Sequence, residues 1–273
     1  MEVENTMKKT VFIIVVILLL IAFGVSAFMV GRYLINSKEQ QQLNDELAAM
    51  VGTNPPPTVP ETPPTEMPTE TSASTVATEP TEPTMIPAYV EAYERNPHMV
   101  GWLQIEGTNL NLPVVQTPED PNFYLKRDFD GNYSEWGTVY AWGAADVNEP
   151  SDNITLFGHT MKDKTMFSVL HNYTQEEYWE ANKLIFFNTL NEYHTYKIFA
   201  VFKTSANIGN FAYHQFVDAA NAEEFNDFVD TCKALSFYDT GITPVYGDKL
   251  IALSTCEYTL DNGRLVVCAV RMY

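Results

Sequence analysis

The stretch 250-LIALSTCEYTLDNGRLVVCAVR-271 contains two apolar runs separated by a polar segment that ends in Asp-Asn-Gly. Apolar runs of this length are typical of buried strands, and Asp-Asn-Gly is a strong signal for a tight turn. The pattern predicts two antiparallel strands joined by that turn. Cys256 then ends the first strand, Arg264 begins the second, and the two side chains face each other at one rim of the sheet.

Short β-type runs dominate the whole region from residue 88 to residue 273. Their number and spacing predict a mostly β fold, either a barrel or a sandwich. The eight predicted strands are residues 100–105, 110–116, 138–142, 153–158, 184–188, 193–203, 249–256 and 264–271.

Three helices are also predicted. Residues 88–95 form a short helical segment that Asn96-Pro97 ends, since the residue before a proline disfavours the helical conformation. Residues 165–171 are predicted as a second short helix. Residues 222–235 are predicted as an amphipathic helix in the long insertion before the last two strands, because five apolar side chains fall on one face: Phe225, Phe228, Val229, Cys232 and Leu235.

Residues 11–30 form an uncharged apolar run that is long enough to cross a bilayer as a helix. We expect it to be a single membrane span preceded by a cytoplasmic segment, residues 1–10. A cleaved signal peptide is the alternative, since small residues occur near the end of the run. Basic residues flank both ends, so charge alone does not fix the orientation.

Residues 31–87 are expected to connect the span to the folded region. Residues 37–50 have a polar, helical composition, and residues 55–87 contain ten of the 16 prolines of the chain. A segment so rich in proline and threonine is expected to be extended, which predicts either a stalk or an inert linker. Residues 88–273 are then one tethered domain.

Composition excludes several classes of function. The chain has 16 basic and 35 acidic residues, with a net charge of −19, whereas nucleic-acid binding requires clustered lysine and arginine. The sequence contains no P-loop, no GxGxxG, no HExxH and no close pair of carboxylates in an apolar setting. We therefore expect no nucleic-acid partner, no cofactor and no metal, and nucleophilic chemistry is the class of mechanism that remains.

The three cysteines cannot all pair with one another, and their spacing fits neither a disulfide scaffold nor a structural zinc site. Cys232 and Cys268 are expected to pack in the core as small apolar residues. For Cys268 the alternative is a second reactive thiol, because it lies on the same strand face as Arg264.

Cys256, His159 and Arg264 each lie at the end of a predicted strand. A strand end holds a side chain rigidly and leaves it open to a cleft. A thiol, an imidazole and a guanidinium in that arrangement suit acyl transfer, in which the cation stabilises a thiolate or an oxyanion. We expect the other histidines to be surface or hydrogen-bonded residues: His98, His171, His194 and His214.

Three strings resemble the His, Cys and Arg motifs of the sortases, a family of cysteine transpeptidases. They are ITLFGHT at 154–160, LIALSTC at 250–256 and GRLVVCAV at 263–270. Further strings resemble class B sortases in particular, namely residues 96–116, PNFYL at 121–125, TMFSVL at 165–170 and the helix-bearing insertion 203–249. The resemblance covers most of the predicted domain.

The resemblance implies an eight-stranded sortase-type β-barrel with an N-terminal helix and a helix in the insertion. It assigns catalysis to His159, Cys256 and Arg264, and substrate binding to a second set of residues: Asn122, Leu125, Ser254, Thr255 and Glu257. Phe157 is a departure, since some relatives carry tyrosine there. The stretch 204–211, expected to cover the substrate, does not align residue by residue.

The implied reaction begins when Cys256 attacks the threonine carbonyl of a sorting signal of the kind LPxTG or NPxTN. Arg264 then holds the oxyanion and His159 protonates the leaving amine. The implied partners are sorting-signal peptides of surface proteins, a peptidoglycan-precursor amine, and the cell membrane through residues 11–30, with the domain outside the cell. Three alternatives remain open: a pilin-polymerising sortase, an endopeptidase that uses water, and a non-catalytic binding module on a stalk.

Overall fold

The computed structural model describes residues 2–52 and 84–272, which form two compact units, Met1–Leu43 and Asn44–Tyr273. Helix α1, Glu2–Val51, contains the described residues of the first unit and ends within the second. Side chains 12–30 are exposed, and the helix is long and apolar enough to cross a membrane by length and composition. The predicted polar helix at 37–50 is confirmed as part of α1, whereas residues 53–83 of the predicted stalk lie outside the described residues.

The end of α1, residues 44–51, belongs to the second unit and packs within it. The Leu47 side chain is fully buried, and Glu46 Oε1 accepts a hydrogen bond from Arg95 Nη1 at 2.8 Å. Arg95 also donates to both carboxylate oxygens of Asp130 at 2.7 Å. The packed unit therefore includes residues 44–51 in addition to the predicted domain.

The second unit is built around a closed eight-stranded barrel with the strand order β1-β2-β3-β4-β7-β8-β6-β5. All eight predicted strands are present, with ends that differ from the prediction by at most two residues. Their bounds are β1 Met99–Gln104, β2 Asn111–Val115, β3 Val139–Ala141, β4 Asn153–Phe157, β5 Leu184–Thr189, β6 Thr195–Ser205, β7 Leu250–Cys256 and β8 Gly263–Arg271. The barrel, not the sandwich, is the correct architecture.

Strand β7 lies between its two functionally important neighbours. It pairs in parallel with β4, where Phe157 is opposite Ser254, and antiparallel with β8, where Cys256 is opposite Arg264. The predicted hairpin and its register are thus confirmed. The parallel pairing with β4 connects residues almost one hundred positions apart and brings the end of β4 beside the end of β7.

Both faces of β7 and β8 are covered, which explains why these strands are apolar throughout. One face turns into the barrel, and the other packs against helix α4, Ala222–Leu235, which has the predicted bounds. Asn221 caps α4 by accepting a hydrogen bond from the Glu224 amide. The resulting cluster includes Phe225, Phe228, Val229 and Cys232 from α4 and Ala252, Val266, Cys268 and Val270 from the strands.

Leu235, the last of the five apolar side chains on this face of α4, is not buried. Its side chain is 41% exposed, although it belongs to the apolar face of α4. Leu235 is the last residue of the helix, and the chain turns there so that the next residue, Ser236, accepts a hydrogen bond from the Val201 amide of β6. Helical periodicity does not show where a helix stops covering the sheet.

The short helices differ in detail from the predictions. The segment expected at 88–95 is a 3₁₀ turn, Pro87–Tyr89, followed by α2, Val90–Arg95. The segment expected at 165–171 is a 3₁₀ helix, Phe167–Thr174. Helix α3, Glu176–Ala181, was not predicted, because six residues are too few to show a helical period. The same holds for the 3₁₀ turns Phe123–Lys126 and Tyr213–Gln215.

The turn between β7 and β8 is held from within by Glu257. Its side chain is almost fully buried, forms an ion pair with Lys203 of β6 at 2.9 Å, and accepts hydrogen bonds from Thr259 Oγ1 and the Thr259 amide. Burial alone would raise the pKa of this carboxyl group, but the hydrogen bonds and charge of Lys203 and Thr259 hold the pKa at about 2. Glu257 thus ties the turn to the barrel wall.

Replacing Phe225 by alanine should lower the free energy of unfolding by about 3–5 kcal/mol, because it empties a fully buried ring site between α4 and the barrel. Leu235→Ala is the matched control and should change it by less than about 1 kcal/mol. Guanidinium denaturation of the chain in detergent, followed by tryptophan fluorescence, measures both. Equal effects of the two variants would contradict the described packing.

Glu257→Gln should destabilise the protein at pH 7 by about 1–3 kcal/mol, because it removes a buried charged acceptor. The folded-state pKa of about 2 lies below the ordinary value of 4.5. The stabilisation is therefore complete above about pH 4.5 and is lost as the pH falls towards 2.

The measurement compares the melting temperatures of the parent and the variant between pH 7 and pH 3. Their difference should narrow below pH 4.5, and a difference that stays constant would exclude this role for Glu257. Glu106→Gln, in the exposed turn between β1 and β2, is the control.

Candidate active site

A pocket of about 380 Å³ lies where β4, β7 and β8 end. His159, Cys256 and Arg264 all line it. The structure therefore brings together the three residues that were predicted from the sequence to be catalytic. Cys256 and Arg264 meet through the antiparallel register of β7 and β8, and His159 joins them because β4 runs parallel to β7.

His159 is oriented by a backbone carbonyl group. Its Nε2 atom lies 2.7 Å from the carbonyl oxygen of Leu125. A carbonyl oxygen can only accept a hydrogen bond, so Nε2 must carry a proton. Nδ1 is then the ring nitrogen that is free to take up or release a proton during a reaction.

Gly158 is required for the tight packing beneath His159. A Cβ atom at this position would lie 2.7–2.8 Å from three ring carbons of Phe167, much closer than atoms pack. The Phe167 amide in turn donates to the carbonyl oxygen of His159 at 2.9 Å. The buried Phe167 ring thus supports the backbone at the tip of β4.

Hydroxyl groups connect the tips of β4 and β7. Thr255 Oγ1 donates to the carbonyl oxygen of Gly158 at 2.7 Å and lies 2.8 Å from Thr160 Oγ1. His171 Nε2 lies 3.0 Å from the same Thr160 hydroxyl. These bonds hold His159 and Cys256, which adjoin the bonded residues in sequence, in a fixed relation. They also satisfy His171, as expected for that residue.

Cys256 is half-buried and Arg264 is held opposite it by its own turn. Arg264 Nη1 donates to the carbonyl oxygens of Gly263 at 2.9 Å and Asn262 at 3.2 Å. A guanidinium group has five N–H donors. Among the described residues only Nη1 of Arg264 donates hydrogen bonds, so the remaining N–H groups are available to a ligand. The arrangement can stabilise negative charge on a sulfur or oxygen atom in the pocket.

The other predicted site residues divide into two groups. Asn122 and Leu125 form one wall of the pocket, and Ser254 and Thr255 form part of its floor. Glu257 is not among the lining residues, because its carboxylate is turned towards Lys203 and Thr259.

Several lining residues were not named individually from the sequence: Tyr140, Trp142, Asn207, Phe211, Tyr213 and His214. The first two lie in β3 and directly after it, and the others lie in the insertion after β6. Asn207 and Phe211 belong to the stretch 204–211, which the resemblance expected to cover the substrate. The Tyr213 hydroxyl hydrogen-bonds Ser254 Oγ at 2.6 Å, and burial raises the pKa of both Tyr140 and Tyr213 to about 12. Both phenols therefore stay protonated at neutral pH. His214 was expected to be a surface or hydrogen-bonded residue, but it is half-buried and lines the pocket.

The pocket has a distinct electrostatic character. Although the chain has 35 acidic residues, no carboxylate is among the described residues that line it. Arg264 supplies a fixed positive charge there. Within residues 2–52 and 84–272, no group of three or more histidine, cysteine or acidic side chains is placed to hold a metal ion.

Residues 103–272 match the family model described as Sortase domain. Sortase B of Staphylococcus aureus is 30% identical over 187 residues, which cover 67% of this chain and 74% of that relative. Sortase B of Listeria monocytogenes is 28% identical over 175 residues, which cover 63% of this chain and 69% of that relative.

The fold is also similar to solved structures of sortase B. A Staphylococcus aureus sortase B–substrate complex matches with a TM-score of 0.64 and 28% identity, over 69% of this chain and 86% of that one. Sortase B from Bacillus anthracis in complex with AAEK1 matches with a TM-score of 0.69 and 25% identity, over 88% of this chain and 99% of that one. With the strand-end thiol, imidazole and guanidinium in one pocket, these similarities show that the chain belongs to the sortase family of cysteine transpeptidases and is of the class B type.

Proposed function

We propose that this chain cleaves a C-terminal sorting signal after its threonine and transfers the acyl part to a cell-wall amine through a thioacyl intermediate. The observation that carries this proposal is the pairing of Cys256 with Arg264 across β7 and β8, with His159 at the adjoining tip of β4. The family supplies the reaction class, and the pocket supplies a nucleophile, a proton carrier and a fixed cation.

In the first half of the reaction, the Cys256 thiolate attacks the threonine carbonyl carbon. The oxygen gains negative charge, and the free N–H groups of Arg264 stabilise it. The C–N bond then breaks as the leaving amine takes a proton from the His159 imidazolium, for which Nδ1 is the available nitrogen. The product is a thioester on Cys256 and a neutral imidazole.

In the second half, an acceptor amine attacks the thioester carbonyl carbon. His159 takes the proton that the amine loses, and the sulfur leaves as a thiolate. The sulfur and the imidazole return to their starting protonation states, so the cycle needs no external proton donor and no cofactor. The acceptor is proposed to be an amine of a peptidoglycan precursor.

The pocket is proposed to hold the signal peptide in an extended form. A relative has been solved as a sortase B–substrate complex, which supports the assignment of the equivalent pocket here. Asn122 and Leu125 would contact the peptide from one wall, and Ser254 and Thr255 from the floor. Glu257 would act on the substrate only indirectly, by fixing the turn between Cys256 and Arg264.

The apolar part of α1 is proposed to anchor the enzyme in the cell membrane by a single span, with residues 1–10 in the cytoplasm and the catalytic unit outside. The length and composition of this helix support the span. Residues 31–87 would tether the catalytic unit to it.

Cys256→Ala should lower the rate of peptide cleavage by at least about 1,000-fold, because it removes the nucleophile. Cys232→Ala is the matched control and should keep the activity, because Cys232 is buried on the inner face of α4. The assay uses mass spectrometry of LPxTG-, NPxTN- and SPxTG-type peptides with triglycine or a diaminopimelate-type amine.

Amine adducts that end in threonine would establish transfer. Hydrolysis that is unaffected by the added amine would instead identify an endopeptidase. Undiminished turnover by Cys256→Ala would refute the thioacyl route.

Arg264→Ala should lower kcat by about 100–1,000-fold, as removal of an oxyanion donor does in other enzymes. Arg264→Lys should have an intermediate effect, since it keeps the charge but loses the forked geometry of the guanidinium. Steady-state kinetics with the preferred peptide measures both variants. If lysine restored the full rate, charge alone would explain the role of Arg264 and hydrogen-bond geometry would not.

A further inference from the structure

Arg264 is oriented by neutral groups rather than by a counter-ion. Its Nη1 atom donates to the carbonyl oxygens of Gly263 and Asn262, at 2.9 and 3.2 Å. Among the described residues, no carboxylate forms an ion pair with the guanidinium group. Carbonyl dipoles hold the cation without neutralising it, so its charge stays available to a reacting oxygen atom.

The two carbonyl oxygens are fixed from different sides. The Gly263 oxygen accepts a second hydrogen bond from the Glu257 amide at 2.9 Å, within the turn between β7 and β8. The Asn262 oxygen accepts a second one from the Ala206 amide, also at 2.9 Å, and Ala206 belongs to the stretch after β6 that lines the pocket. One contact of the guanidinium group thus depends on the turn alone, and the other depends on the stretch after β6.

Side chains strengthen the link between that stretch and the turn. Asn262 Nδ2 donates to Asn207 Oδ1 at 2.6 Å, and Asn207 Nδ2 donates to Asp261 Oδ2 at 3.0 Å. Ser205 Oγ donates to the Asp261 carbonyl oxygen at 2.7 Å. A carboxylate only accepts hydrogen bonds, so Asp261 faces the amide nitrogen of Asn207 and leaves the amide oxygen for Asn262.

The backbone conformation of Asn262 suits this position. Its φ is 48°, in the left-handed region that glycine and asparagine adopt more readily than other residues do. In this conformation its carbonyl oxygen is shared by Ala206 and Arg264, while its side chain bonds Asn207. Asn262 therefore contacts both the pocket-lining stretch and the guanidinium group.

We propose that Asn262, held by Asn207, is a positioning residue that fixes the Arg264 guanidinium group for the oxygen atom that gains charge in the transition state. This inference rests on the proposed function, in which Arg264 stabilises that charge. An arginine side chain has many rotamers, and its N–H groups stabilise an oxyanion best when they already point at it. Since the oxyanion exists only in the transition state, loss of the Asn262 side chain lowers kcat and leaves KM largely unchanged.

Asn262→Gly tests the proposal with little effect on the backbone, because glycine adopts positive φ angles readily. In the full chain in detergent, it should lower kcat for peptide cleavage by about tenfold and change KM by less than about twofold. Asn148→Gly, in the exposed segment after β3, is the matched control and should leave both constants unchanged. A higher KM at unchanged kcat would show that Asn262 contributes only to binding, and would overturn the proposal.

A second measurement needs no turnover. The rates at which iodoacetate and iodoacetamide alkylate Cys256 are compared at low salt, and mass spectrometry identifies the modified cysteine. A guanidinium group beside the sulfur favours the anionic reagent, so the ratio of the two rates reports where that group lies. Asn262→Gly should lower the ratio by about threefold or more, towards the value of Arg264→Ala.

Asn207→Ala removes the partner of Asn262 and should lower the ratio to a similar extent, and the double variant should go no further than either single variant. This result would support the positioning role even if the parent cleaved no peptide and the proposed function failed. A ratio that either single variant left at the parent value would overturn the proposal. So would a ratio that Arg264→Ala left unchanged, since the guanidinium group would then not face the Cys256 sulfur.

Discussion

The candidate active site depends on the position of β7 between β4 and β8. One neighbour runs parallel to it and carries His159 to the tip, and the other runs antiparallel and carries Arg264. Because side chains alternate along a strand, a shift of either pairing by one residue would turn His159 or Arg264 to the opposite face. The three functional groups share one pocket only in the observed register, so that register is the constraint the rest of the structure must protect.

The surrounding contacts protect that register in different ways. The Thr255 hydroxyl of β7 donates a hydrogen bond to the Gly158 carbonyl at the tip of β4. The Glu257 carboxylate, in the turn between β7 and β8, forms an ion pair with Lys203 of β6. Gly158 allows Phe167 to pack directly under the strand that carries His159. Glu257 holds the turn and does not line the pocket, whereas the family resemblance assigned it to substrate binding.

The sequence predicts the local parts of the fold well, since these depend on short-range patterns. The eight strands follow from apolar runs, and the β7–β8 register follows from the Asp-Asn-Gly turn and the strand lengths. Helix α4 is long enough to show its period. Helix α3 has six residues and is too short for that. Leu235 shows the same limit, because its exposure depends on what lies beyond the helix.

The site itself could be predicted only in part. Cys256 and Arg264 are neighbours across one turn, so a hairpin argument places them together. The parallel pairing that brings His159 to them joins distant segments, so the sequence linked His159 to the other two only through its strand-end position, its chemistry and the family resemblance. Trp142 and His214 were not foreseen as lining residues, because Trp142 follows β3, His214 lies in the insertion, and no local pattern connects them.

The three cysteines differ in their surroundings, and those surroundings determine which thiol can react. Cys232 and Cys268 lie in the apolar cluster under α4, and burial raises the pKa of Cys232 well above its ordinary value. The Cys232 thiol therefore stays protonated, and both buried thiols are out of reach of a peptide. Cys256 is half-buried at a strand tip, opposite a guanidinium group and in a pocket whose described lining has no carboxylate. Although the chain has 35 acidic residues, no carboxylate of the described lining therefore opposes negative charge that develops on the Cys256 sulfur during the proposed reaction.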